Sequence, residues 1–257
     1  MRLIFLLLLP LLASCTTGTE EPMNTPESEA ARRTVPDSLP PPPTILSFAV
    51  DPRTDDLRMH YRDSLGERHA SLGNLREWYA ARGRKMVFAT NGGMYHPDRS
   101  PVGVYAEFGV ILNPLNRDTT GKGNFFLRPN GVFWLRDDGR AYITPTEDYV
   151  THKYVDYATQ SGPLLLRNGQ LHSALRKGSK NLRTRSGVGI LPEGYVLFAH
   201  ATDPINFYDF AVFFRDWGCT DALFLDGVIS RTYHPAAGQE DTGGDFGVMI
   251  AVSEASE

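Results

Sequence analysis

The sequence predicts an α+β fold: a mixed, mainly antiparallel β-sheet core with a few short helices in a single domain. Three observations carry that expectation. From Thr44 onward the apolar residues fall in short runs, many of them alternating, separated by Gly, Pro, Asn-Gly and Asp-Gly signals. Helical spacing shows only in brief stretches, at 75–81, 147–157 and 206–217. Residues 44–257 contain no internal repeat and no second linker, and roughly 210 residues suffice for one hydrophobic core.

Residues 45–51 and 57–63 alternate across the turn-prone DPRTDD, which predicts a β-hairpin. Asn74 is expected to cap a helix over 75–81 that buries Leu75, Trp78 and Tyr79 and stops at Gly83. A strand at 85–90 runs into NGGMYHPDRSPVG, a loop of polar groups at a strand end. Residues 108–112 read as a strand, and 125–143 as a meander rich in aromatic and β-branched residues. A short helix is expected over 147–157, then a bend at 160–163 and two strands joined by Asn168-Gly169. RSGVGIL needs small residues at Gly187 and Gly189, and GYVLFAHA follows as a further strand. Asn206 or Asp209 caps a helix to about Trp217. ALFLDG is then a buried strand, a Gly-rich loop follows Ser230, and residues 247–252 close the domain.

The chain opens MRLIFLLLLPLLASC, one basic residue and an apolar run shorter than the ~20 residues a spanning helix needs, so residues 1–14 read as a signal peptide. Leu12-Ala13-Ser14-Cys15 resembles a bacterial lipobox, with Cys15 as the lipidated residue, and plain cleavage near Ser14 as the other reading. Residues 15–43, rich in Thr, Glu, Ser and Pro, form the tether, and 44–257 the functional domain. The expected location is the bacterial cell envelope, at the outer membrane. Cys15 and Cys219 are the only cysteines, so no disulfide framework is expected and Cys219 reads as a small buried hydrophobe. The net charge of −4 argues against nucleic acid as a partner.

The chemistry concentrates where ALFLDG ends. A carboxylate at the junction of a buried strand and a glycine loses solvent, which fixes its geometry and shifts its pKa. Asp226-Gly227 reads either as such a site or as an ordinary turn. His96, Asp98 and Arg99 fit no common metal-ligand spacing, so no metal site is expected there. RKGSKNLRTR, ending at Arg185, is a basic cluster able to meet a single phosphate.

Taken in order, NGGMYHPDRSPVG, QSGPLLLRNGQ, RSGVGI and ALFLDGVIS make residues 44–252 resemble the phosphodiester glycosidase family, the N-acetylglucosamine-1-phosphodiester α-N-acetylglucosaminidase-like domains, in a bacterial envelope subgroup. The resemblance implies hydrolysis of a glycosyl-1-phosphodiester at the anomeric carbon of an envelope or extracellular glycan. It implies Asp226 as nucleophile or as base for water, and Arg185 as a clamp on phosphate. Backbone N–H groups of Asn91-Gly92-Gly93 and Ser161-Gly162 would add donors, Asn91, Gln160 and Ser230 would meet sugar hydroxyls, and Gly227 would admit the ligand closely. Asp98, Glu107, His200, His234 and Asp245 are candidates for a second acid or base. The family pattern has small residues between LDG and Ser, where this chain has Val228-Ile229. No cofactor is called for, one divalent cation being the exception left open. Two other readings stand beside this one: a non-catalytic glycan-binding lipoprotein, and cleavage on the phosphorus side.

Overall fold

The computed structural model describes residues 43–256. The expected signal peptide, most of the tether and the lipidation site at Cys15 lie outside the described residues. In chain order the strands are β1 (Ile45–Val50), β2 (Asp56–His60), β3 (Arg84–Asn91), β4 (Tyr105–Glu107), β5 (Val110–Asn113), β6 (Gly131–Arg136), β7 (Ala141–Pro145) and β8 (Val155–Ser161). They continue as β9 (Leu164–Arg167), β10 (Gln170–Leu171), β11 (Arg183–Ile190), β12 (Val196–Ile205), β13 (Asp221–Asp226), β14 (Thr232–His234), β15 (Gln239–Glu240) and β16 (Met249–Ala255). Two helices are inserted, α1 (Leu72–Ala80) and α2 (Phe207–Asp216).

These strands form three antiparallel sheets, ordered β1-β12-β11-β13-β9-β10, β15-β14-β3-β16-β2 and β5-β4-β8-β6-β7. One core joins all three, with Phe88, Phe133, Val188, Phe198, Leu223 and Ile250 meeting at its centre. Alternation then turns the remaining apolar residues outward, where each sheet needs a second cover. Helix α2 supplies it for the first sheet through Phe210 and Phe214 against Leu197, Ala222 and Phe224. Helix α1 does the same for the second, packing Leu72, Leu75 and Tyr79 on Met86 and Met249.

The antiparallel, mainly β character is as the sequence predicts, and several elements differ in detail. β1 and β2 do not pair as a hairpin: β1 joins β12 and β2 joins β16, because their inward residues serve two different sheets. The cap of α1 is Ser71, whose hydroxyl accepts from the Asn74 N–H at 3.1 Å, so the helix starts earlier than Asn74 implies. No helix forms over 147–157; Tyr149 is buried beside Trp134, and from Val155 the chain is strand β8. Phe108-Gly109 is the turn between β4 and β5, with Phe108 at φ +50°, rather than part of a strand. The expected meander begins with a 3-10 turn at Asn124–Phe126. The Gly-rich loop after Ser230 conceals β14 and β15, too short to carry a pattern.

Asn206 is the cap of α2, accepting from the Asp209 N–H at 2.9 Å. The two glycines of β11 let α2 approach. A Cβ at Gly189 would lie 2.7 Å from both Cys219 Sγ and Phe214 Cδ1, and one at Gly187 would lie 3.1 Å from the Phe210 and Phe214 rings. Gly189→Ala should therefore lower stability by about 1–3 kcal/mol through overpacking. A denaturation midpoint equal to wild type would show that α2 moves away freely.

Candidate active site

The site is built where β13, β3 and β11 end together. Ser186 of β11 stands opposite Asp226, whereas Gly187 stands opposite Phe224, so Leu225 is an extra residue and β13 carries a bulge just before the acid. Bulges re-aim the side chains next to them. Here the Asp226 carboxylate leaves its own sheet and crosses to the second. Its Oδ2 accepts from Asn91 Nδ2 at 2.9 Å, and its Oδ1 accepts from the Gly227 N–H at 2.7 Å. Asn91, fully buried at the end of β3, is fixed in turn by its Oδ1, which accepts from the Arg231 N–H at 3.1 Å.

Burial pushes the Asp226 pKa up to about 6, opposed by the bonds from Gly227 and Asn91, which favour the charged form. Asp226 nevertheless keeps partial exposure, so solvent or a ligand reaches it. The Tyr95 phenol nearby is raised by burial and by the Asp226 charge.

A layer of small polar residues supports the strand ends. Ser230 Oγ and Ser186 Oγ are 3.0 Å apart, Ser161 Oγ donates to the Leu225 carbonyl at 2.9 Å, and Thr159 Oγ1 donates to the Gly92 carbonyl at 2.9 Å. A Cβ at Gly93 would lie 2.8 Å from Thr159 Oγ1, and one at Gly92 would lie 2.9 Å from Val248 and Ile250. A Cβ at Gly227 would meet the Phe224 ring at 3.5 Å, an ordinary contact, so this glycine is not required by crowding.

Not every expected residue converges here. Gln160 uses its whole amide internally: Oε1 accepts from the Val104 and Asn116 N–H groups, and Nε2 donates to Asn116 O and Thr146 Oγ1. It fixes the loop ahead of β4 and has no group left for a sugar hydroxyl. The Gly92 N–H likewise donates to Val248 O at 2.8 Å and is not free for phosphate. Gly162 packs on Asn130 and Phe125, with 2.5 Å from a Cβ to Asn130 Cβ. Arg185, which precedes Ser186, is 1% exposed. Its guanidinium lies 3.7 Å over the Phe207 ring, Nε donates to Ile205 O and Nη2 to Asn181 O, both at 2.8 Å. Desolvation lowers its pKa to about 10, still cationic at neutral pH, and Nη1 has no hydrogen-bond partner among the described residues.

None of the candidates for a second acid or base hydrogen-bonds Asp226. Asp98 closes a turn onto Ser100, Asp245 is shared by Arg68 and Arg99, and Glu107 accepts from the Tyr105 hydroxyl at 2.7 Å. His200 and His234 face a tight gap between the first two sheets. Sequence reasoning missed Ser186, Arg231 and Tyr95. Ser186 is legible only through the register, while Tyr95 and Arg231 neighbour motif residues already singled out. A cavity of about 550 Å³ around Arg58, Phe108 and Tyr157 contains none of these residues. Among the described residues no group of three or more His, Cys, Asp or Glu is placed to hold a metal ion.

A model of the phosphodiester glycosidase family matches residues 84–248, which span every strand end just described. The chain belongs to the phosphodiester glycosidase family. It is 34% identical to the uncharacterized protein YigE of Escherichia coli over 191 residues, 74% of each chain. Among solved structures it is similar to the catalytic domain of zebrafish N-acetylglucosamine-1-phosphodiester alpha-N-acetylglucosaminidase, with TM-score 0.54, 16% identity, and coverage of 83% of this chain and 85% of that one. A protein of Burkholderia pseudomallei is similar at TM-score 0.54 and 10% identity, covering 81% of this chain and 73% of that one. At these identities the structures establish a shared fold.

The raised pKa makes a stability prediction. Unfolded Asp titrates near 4, so between about pH 4 and 6 the folded protein binds the proton more tightly, and stability falls as pH rises through that window. Asp226→Asn lacks this titration. Its melting temperature should gain on wild type between pH 4 and 6 and hold the gain above, as scanning calorimetry would report; parallel profiles would show that Asp226 is not desolvated.

Proposed function

We propose that the protein hydrolyses a glycosyl-1-phosphodiester at the anomeric carbon, with Asp226 as the reacting carboxylate. The observation that carries this reading is a partly desolvated acid on a bulged strand end, fixed on both oxygens yet still partly exposed. Family membership supports a phosphodiester-linked sugar as the substrate class.

The anomeric C–O bond breaks and its electrons pass to the phosphate oxygen. A phosphate ester leaves readily without protonation, so one well-placed carboxylate serves where ordinary glycoside hydrolysis needs two. Ionised above pH 6, Asp226 stabilises the oxocarbenium-like centre. As base it takes a proton from the attacking water, whose oxygen bonds to the anomeric carbon. Asn91 donates to the carboxylate and keeps its orientation, and Gly227 does the same from the backbone. Arg185, the phosphate clamp that the family resemblance implies, is held over the Phe207 ring by the Ile205 and Asn181 carbonyls and takes no part in this reading. In the same reading the enzyme is tethered to a bacterial envelope through a lipid on Cys15, on the strength of the leader sequence.

The test is incubation of the protein with a panel of sugar-1-phosphodiesters and mass analysis of the products. Free sugar and phosphomonoester should form, kcat/KM should rise with pH through about 6, and Asp226→Asn should reduce it at least ~100-fold. Wild-type turnover by Asp226→Asn sinks the assignment. Glycan binding weakened by the same change, with no turnover on any substrate, favours the non-catalytic binding protein. Asn91→Ala should lower kcat by about tenfold and shift the pH limb upward, because it removes a donor to the charged form; an unmoved limb would make Asn91 a packing residue.

A further inference from the structure

Tyr157 is almost wholly buried, 4% exposed, yet its hydroxyl has no hydrogen-bond partner among the described residues. Buried polar groups are as a rule paired, so an unpaired one calls for a reason. The phenol lines the cavity of about 550 Å³ between β2 and the adjoining ends of β6 and β8, a size within the ~300–1,000 Å³ range of ligand pockets.

Asp156 lines the same cavity, although successive residues of a strand point to opposite faces. A bulge is the cause: Tyr157 stands opposite Leu135 and Val155 opposite Arg136, so Asp156 is an extra residue and its side chain is re-aimed. Its carboxylate has no hydrogen bond and no ion pair among the described residues, and burial raises its pKa. Phe108 forms the rim. Its ring is 58% exposed and lies 5.3 Å from the Tyr157 ring, on a backbone at φ +50° that a bulky residue rarely adopts. The Gly109 N–H donates to the Asp156 carbonyl at 2.9 Å, which pins this strained turn to the bulge.

Most other charges of the lining are paired. Asp56 meets Arg58 and Arg84, Asp137 and Asp138 share Arg136, and Arg53 holds Asp51. A cation approaching Asp156 would meet Arg58, which stands near enough to favour the ionised carboxylate, and an anion would meet the carboxylates. A free carboxylate, a free phenol and an exposed aromatic face instead suit a neutral polyhydroxyl compound, its hydroxyls donating to Asp156 and its C–H face against Phe108. We infer that this cavity is a second carbohydrate-binding site, built from Phe108, Asp156 and Tyr157, which holds an uncharged part of a glycan. It is distinct from the acid. Ser161, which bonds the Leu225 carbonyl beside Asp226, lies five residues beyond Asp156, roughly 16 Å along β8 at ~3.3 Å per residue. The inference concerns binding alone and does not depend on the glycosidase reading.

The experiment is calorimetric titration of the whole protein with three neutral probes, maltotriose, cellotriose and chitotriose, carried to millimolar concentration. At least one should bind. For that probe Phe108→Asn, which removes the ring but keeps a residue tolerant of positive φ, should weaken binding about tenfold, Asp156→Asn about tenfold and the conservative Tyr157→Phe about threefold. Asp226→Asn should leave the affinity within about twofold of wild type, because the acid is not part of this site. Silence from all three probes, full affinity in Phe108→Asn and Asp156→Asn, or affinity lost in Asp226→Asn overturns the inference. Spermidine tests the cationic alternative: if it binds where the trisaccharides do not, and Asp156→Asn abolishes that binding, the cavity is an amine site and the inference falls. Trisaccharide binding without turnover of any sugar-1-phosphodiester sinks the glycosidase reading alone; turnover without trisaccharide binding sinks this inference alone.

Discussion

The hydrogen bond from Asn91 to Asp226 is the constraint on which the site depends. It ties the last residue of β3 to the last residue of β13, which belong to different sheets. Neither end could be placed by its own sheet. Asp226 needs the bulge at Leu225 to leave the β13 ladder, and Asn91 needs the Gly92 and Gly93 backbones to turn away without collision against Val248, Ile250 and Thr159. The carboxylate is thus held by packing across the core, and its geometry is as stable as the joint between the sheets. Loss of one partner would leave a buried polar group unpaired, which costs more than the bond itself contributes.

Much of the fold was legible because its signals are local. Short apolar runs broken by Asn-Gly and Asp-Gly turns announce strands, and Gly187 and Gly189 inside one of them mark a need for small residues whose cause, the approach of α2, only the structure shows. What failed was pairing. The DPRTDD turn joins two good strands, yet β1 and β2 enter separate sheets, since partner choice depends on which core each inward face meets. The helix expected over 147–157 failed for a related reason: Tyr149 is drawn into the pocket beside Trp134, so tertiary burial overrides a weak local preference.

The site was legible in part, and the division is physical. Asp226, Asn91 and Gly227 stood out as polar strand ends beside glycine, a pattern that suits a turn equally well until the hydrogen bond between the two sheets is seen. Gln160 looked equally suitable, yet from β8 its amide is saturated by Val104, Asn116 and Thr146, partners on other segments of the chain. Arg185 lies next to the acid in the sheet, but alternation and Phe207 carry its guanidinium into an aromatic seat. Ser186 and Tyr95 belong to the site only because three strands end together, which no short motif records.

In the proposed reaction the leaving group accounts for so sparse a site. A departing phosphate ester needs no general acid held protonated at neutral pH, which agrees with the structural roles of Glu107 and Asp245. Under that proposal the Asp226 carboxylate has to be ionised to stabilise positive charge at the anomeric carbon, yet burial raises its pKa toward 6. The bonds from Asn91 and Gly227 work against that rise. They make the charged form accessible near neutrality while leaving it poorly solvated, and a poorly solvated carboxylate interacts most strongly with a developing cation.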